Sequence, residues 1–201
     1  MTELSQSEFG RAARGVHVVP GAPLDVDYYV LGMISSAHAA LREVHKTTPD
    51  FALSDFAGKM SKFLLQGGAA ADWARKLTDC VERYVEWDEG AVSAAALPTK
   101  GLSISFEPDH IVRARPDVVL GPQEGPGEYE ARAVLMDDIP LDRGAAEMIA
   151  LPVLEFVRAK FGADSTAAVE VWQLQRGDYE AVAADAAEAR RADVEALLAS
   201  L

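Results

Sequence analysis

The spacing of apolar residues changes character at Pro98, and this change restricts the fold more than any other feature of the sequence. Before it, Tyr29, Met33, Ala37, Leu41 and Val44 recur at three- and four-residue steps, as do Trp73, Leu77, Cys80, Val81, Tyr84 and Trp87. That period places one apolar stripe on each helix. After it, Leu102, Ile104 and Phe106 alternate with Ser103 and Ser105, the period of a strand with one face buried. The chain therefore has to pack helices against a sheet, an α/β or α+β arrangement.

Local signals place the elements. Residues 1–24 read as an arm, with a short helix around Glu8–Arg14, an apolar stretch from Val16 to Val19, and Pro20, Gly21 and Pro23 as punctuation. A helix is expected from Asp25 to about Lys46, ending before Pro49. A second is capped by Ser54 or Asp55, runs through Phe56, Met60, Phe63 and Leu64, and stops at Gly67 and Gly68. A third spans Ala69 to about Glu89. Residues 110–120 (HIVRARPDVVL) read as one strand, 121–128 (GPQEGPGE) as a turn, and 128–136 as the next strand. Asp142 opens a helix that carries Pro152 inside it and ends at Gly162. Ala167–Leu174 is a strand, and 178–201 an amphipathic helix. The expected organisation is an arm and a single domain over 25–201, helical over 25–97, with the sheet and its flanking helices over 98–201.

Composition narrows the function classes. With 201 residues the chain can bury a sizeable core without disulfides or metals. The 19 basic and 32 acidic side chains give −13. That charge disfavours a sequence-independent coat on nucleic acid, which needs Lys and Arg against phosphates. It suits a basic protein partner. Cys80 is the lone cysteine and, lying on an aromatic stripe, reads as a buried thiol. No Cys/His spacing suits zinc, and no P-loop, GxSxG or HExxH occurs. The N-terminus lacks a secretory apolar region and no apolar run reaches spanning length, so a cytoplasmic protein without membrane contact is expected. Arginine outnumbers lysine 13 to 6 and alanine is abundant, as in G+C-rich bacterial genomes.

One constellation can carry chemistry. Arg115-Pro116-Asp117-Val118-Val119-Leu120 is followed by Glu130-Ala131-Arg132, with Glu130 thirteen positions after Asp117. Glu130 and Arg132, two apart on a strand, share a face, and an adjacent antiparallel strand can bring Asp117 to the same edge. Two carboxylates there would form a hard-cation site. The same residues also read as a strand-end Asp bonding a turn and a solvent-facing ion pair. Arg113 and Arg115 alternate on one strand face, as a phosphate-facing patch or as partners for nearby acids. His45 and His110 have no assignable partner.

This arrangement resembles the PD-(D/E)XK nuclease superfamily, specifically its RecB-like exonuclease branch. The likeness extends to the order of strands and helices and to Ser36-Ala37-His38-Ala39-Ala40-Leu41, which looks like the upstream helix bearing a metal-facing His. The resemblance implies a restriction-endonuclease-like core, with Asp117, Glu130 and His38 as Mg²⁺ ligands and Asp117, Glu130 and Arg132 as the catalytic set for phosphodiester hydrolysis on DNA. Arg132 stands where the family has lysine, and a guanidinium does not exchange protons near neutral pH. Glu147 and Leu151 stand at the family's Gln and Tyr, and Ile34 at its Gly. The acidic strand member can alternatively be read as Asp137 or Asp138. The expectation is a retained fold with a degraded site, working in or alongside a DNA-processing complex with a protein partner or a second copy. The competing readings are an acidic interaction module and a small-molecule binder with a pocket lined by Trp73, Trp87 and Trp172.

Overall fold

The structure, a computed structural model, describes residues 2–22, 27–88, 97, 100–107, 109–122 and 125–201. The expected helix start at Asp25, the helix end at Glu89, and Pro23 and Pro98 themselves lie outside the described residues.

Three helices form the first half: α2 (Tyr28–Val44), α3 (Pro49–Leu64) and α4 (Gly68–Trp87). They follow β1 (Thr2–Ser5) and α1 (Gln6–Ala13). Helix α3 starts six residues earlier than the Ser54 cap suggests. Thr48 Oγ1 accepts from the Phe51 amide at 3.3 Å, and Pro49 takes the first helical position, where its missing N–H is not needed. The buried stripe Ala52, Phe56 and Met60 begins accordingly at residue 52.

The second half builds two sheets rather than one. β2 (Leu102–Phe106) and β3 (His110–Ala114) pair antiparallel, and β1 adds to β3 in parallel. β4 (Val118–Leu120), β5 (Glu128–Leu135), β6 (Thr166–Gln173) and β7 (Asp178–Val182) form the other sheet in that order. Only the β5–β6 pair is parallel there, joined through α5 (Arg143–Phe161). Residues 110–120, expected as one strand, are thus divided between sheets. Pro116, which has no N–H for a ladder, stands at the division.

Two further expectations are corrected. The 1–24 arm contributes β1 and α1, and Leu4 and Phe9 are fully buried, so its first residues belong to the core. A Ser5–Glu8 capping box starts α1. The C-terminal stretch 178–201 opens as strand β7, with Tyr179 opposite Trp172, before α6 (Ala184–Ala189) and α7 (Arg191–Ala199). Asp-Tyr-Glu-Ala-Val alternates as well as it cycles, and pairing with β6 decides between the periods.

Helix α5 is buried on nearly every side, as an apolar helix enclosed by other elements should be. It runs from the Asp142 cap to Gly162 as one helix, Pro152 included. One core cluster joins α5 to both sheets, through Val119, Ala131, Ala133 and Val171 of the four-stranded sheet. The opposite face of that sheet, Val118, Leu120, Val134 and Trp172, packs on α2–α4. Both faces are therefore covered, and any polar side chain on the α2–α4 face must find a partner there.

Candidate functional site

Glu130, Arg132 and Glu170 project from β5 and β6 toward α4, because they share the face of Val134 and Trp172. Arg132 is 6% exposed at its side chain and gathers the polar groups around it. Its Nη1 donates to Asp88 Oδ1 at 2.5 Å and to the Tyr84 hydroxyl at 2.7 Å. Its Nε donates to Glu130 Oε1 at 2.7 Å and lies 3.1 Å from Glu170 Oε2. The guanidinium also sits 4.7 Å from the Trp172 ring centroid and 5.4 Å from that of Tyr84.

Around this cation the polar groups are linked further. Tyr84 Oη stands 2.7 Å from His45 Nε2, and His45 Nδ1 is 3.7 Å from Asp88. The Trp172 indole donates to Glu170 Oε2 at 3.0 Å, and the Tyr179 hydroxyl to Glu170 Oε1 at 2.7 Å. Burial disfavours the Arg132 charge, but Tyr84, Asp88 and Glu130 outweigh it and hold the guanidinium above its ordinary pKa. Burial pushes the Tyr84 hydroxyl up against the pull of Arg132. Both groups therefore keep their protons at neutral pH.

Asp117 occupies a bend just before β4. Its N–H donates to the Arg132 carbonyl at 2.8 Å, and its Oδ2 accepts from the Val134 amide at 2.7 Å. Its Oδ1 lies 2.6 Å from His38 Nδ1 on α2, so the structure brings together Asp117 and the His that sequence reasoning singled out. That approach lacks hydrogen-bond alignment, and His38 Nδ1 is buried without another partner.

Glu130 and Asp117 each have separate partners. In the β4–β5 register Val118 faces Arg132 and Leu120 faces Glu130, so Glu130 is displaced from Asp117 by three residues, about 10 Å along the strand. Mg²⁺ calls for about six oxygen donors in near-ideal octahedral geometry. Here Glu130 is held by a guanidinium and Asp117 by an imidazole and a backbone amide. Among the described residues no group of three or more His, Cys, Asp or Glu side chains is placed to hold a metal ion. The donor set does not fit the ion.

The alternative acidic member, Asp137, is committed elsewhere. Both of its oxygens accept from Nη atoms of the buried Arg14, at 2.7 and 2.8 Å. Glu147, which the resemblance aligns with a Gln, accepts from Arg143 and Arg190 on the far side of α5. Trp87 and Trp172 do meet, with centroids 5.7 Å apart, but as part of this packed cluster. A 340 Å³ cavity lies elsewhere, between the β2–β3 hairpin and α7, where His110 and Arg191 help line it.

Asp88, Glu170, Tyr84 and Tyr179 were missed as members of the network. Tyr84 was legible only as a stripe residue. The other three come from separate elements with no spacing that joins them. No helix among the described residues is long and apolar enough to cross a membrane. No family model and no curated protein matches this chain.

Proposed function

We propose that this chain is a catalytically silent protein of the PD-(D/E)XK, RecB-like kind, used in the bacterial cytoplasm as a binding module alongside a DNA-processing assembly. The order β4–β5–α5–β6, with Asp117 against His38, supports the likeness. One observation carries the silence: Arg132, at the lysine position, is enclosed by Asp88, Glu130 and Tyr84. A guanidinium so held neither gives nor takes a proton at neutral pH, and it uses up the Glu130 carboxylate that a metal would require. The partner that suits such a module is a basic protein. Residues 27–88 hold nine acidic and seven basic side chains, so −11 of the net −13 lies outside the three-helix half.

The test is incubation of the purified protein with single- and double-stranded DNA in Mg²⁺ and in Mn²⁺, alongside melting curves at rising metal concentration. The expected result is no cleavage and no metal-dependent rise in Tm. Metal-dependent cleavage that disappears in Asp117→Asn would overturn the proposal and restore phosphodiester hydrolysis at this site.

A further inference from the structure

Where β3 leaves its sheet and β4 enters the other, cations collect in a chain that is otherwise strongly acidic. Arg42 lies one helical turn after His38 on α2, and it is within electrostatic reach of both Asp117 and Arg115. Arg113 and Arg115 are exposed and share one side of the chain at the end of β3. Both stand against Gly101, where a Cβ would lie 3.7 Å from Arg113 Cγ and from Arg115 Cβ. Lys100, next to that glycine, is exposed too.

None of these four cations has an ion pair among the described residues. Among the described residues Asp117 is the carboxylate that acts on Arg42, and its oxygens are already engaged by His38 and the Val134 amide. Glu3, opposite Ile111 on β1, makes no ion pair with Arg113 although it is diagonal to it. Ser103 on β2 and Ser5 on β1 are directly opposite Arg113, so the strand neighbours are hydroxyls rather than carboxylates. The Arg115 side chain is free to reach outward, because its backbone amide alone is tied down, donating to Gln6 Oε1 at 2.6 Å. Burial, together with repulsion from Arg115, lowers the pKa of Arg42 despite Asp117. An anion bound at Arg115 would relieve that repulsion.

We infer that Arg42, Arg113 and Arg115, with Lys100 at the rim, form a phosphate-binding corner at the junction of the two sheets. Arginine is suited to it, since its planar fork pairs two N–H groups with two phosphate oxygens. The site needs no metal and no bond cleavage, so it stands apart from the question of hydrolysis at Asp117. The shared chemistry is the phosphate group, whether of a small phosphorylated molecule or of a single-stranded nucleic-acid backbone.

The test is calorimetric titration of the full chain with pyrophosphate and, separately, with a short oligothymidylate, at low salt and without metal. Arg115→Gln and Arg42→Gln are each expected to weaken binding about tenfold, the value of one charge-assisted hydrogen bond. Arg75→Gln on α4, whose arginine pairs with Asp72, is the control and leaves binding unchanged. Pyrophosphate binding identifies a small phosphorylated ligand, and binding of the oligonucleotide alone identifies a backbone. Melting curves establish that the variants fold. The exposed pair Arg113→Gln and Arg115→Gln carries the test if Arg42→Gln does not. Absence of binding to both probes, or equal binding by wild type and the folded arginine variants, would overturn the inference.

Discussion

Arg132 on β5 and Asp88 at the end of α4 meet at 2.5 Å, both with side chains 6% exposed. They are 44 residues apart in sequence, and their contact ties the helical half to the four-stranded sheet. The pair is embedded with Tyr84, Glu130 and Glu170, so the guanidinium offsets three carboxylates.

Removing that cation leaves charges without a partner. Arg132→Met is expected to cost about 3–5 kcal/mol, the usual penalty for breaking one side of a buried ion pair. Arg132→Lys should recover only part of it, because an ammonium cannot bridge Asp88, Tyr84 and Glu130 together. Urea denaturation of the two variants beside the wild type measures this. A loss under about 1 kcal/mol for Arg132→Met would show the network to be dispensable.

Acid should weaken the far side of α5. Hydrogen bonds from Arg143 and Arg190 pull the Glu147 carboxyl below its ordinary value, against a small opposing effect of burial. A lowered folded-state pKa gives stability that is present above the unfolded value of about 4.3 and is lost as pH falls through the folded one. Glu147→Gln is therefore expected to be less stable than wild type at pH 7 and to approach it as pH falls from about 4.3 through the lowered folded-state value. Melting temperatures across pH 3–7 (about one unit per step) decide it, and a constant gap would exclude this ionisation as the cause.

Cys80 should be unreactive in the native fold. Its side chain lies in the α2–α4 core at 1% exposure, and burial pushes the thiol up to about 12. At pH 8 a thiol-specific disulfide reagent is expected to label it only after denaturant is added. Rapid labelling of the folded protein would show that α4 opens locally.

Gly121 should not accept a side chain. A Cβ there would come within 2.9 Å of Tyr129 Cε1 and 3.1 Å of the Glu128 carbonyl oxygen. The Tyr129 ring cannot yield, since it stacks on Phe161 at 4.5 Å and its hydroxyl donates to the Gly125 carbonyl at 2.6 Å. Gly121→Ala is expected to cost about 1–3 kcal/mol through crowding. Denaturant midpoints check this, and an unchanged midpoint would mean that the β4–β5 turn relaxes freely.

Much of the architecture was legible in the sequence because its local signals agree with one another. Asp142 and Gly162 bound α5 as caps should, and the stripe through Leu77, Cys80, Val81 and Tyr84 faces the core. Legibility failed where a short segment satisfies two periods or none. Asp178–Val182 reads as the start of a helix until β6 supplies its partner. Thr2–Ser5 carries a single apolar residue, Leu4, and becomes a strand only because β3 offers it an edge.

The candidate residues divide in the same way. The Glu130–Arg132 pairing follows from strand alternation, and His38 lies against Asp117. Asp88, Glu170 and Tyr179 could not be foreseen, since each joins the network from its own element, Tyr179 through Glu170.

The sequence by itself determined the helix-to-strand switch, the caps, the apolar faces and the presence of an arginine at position 132. These depend on periodicity and on side-chain chemistry within a few residues. Only the tertiary structure decided that residues 110–120 serve two sheets, that Glu130 stands three residues along the strand from Asp117, and that Arg42 comes within electrostatic reach of Arg115. Register and helix docking bring together residues far apart in sequence, and the burial that results determines which charges are neutralised inside the fold and which are left facing solvent.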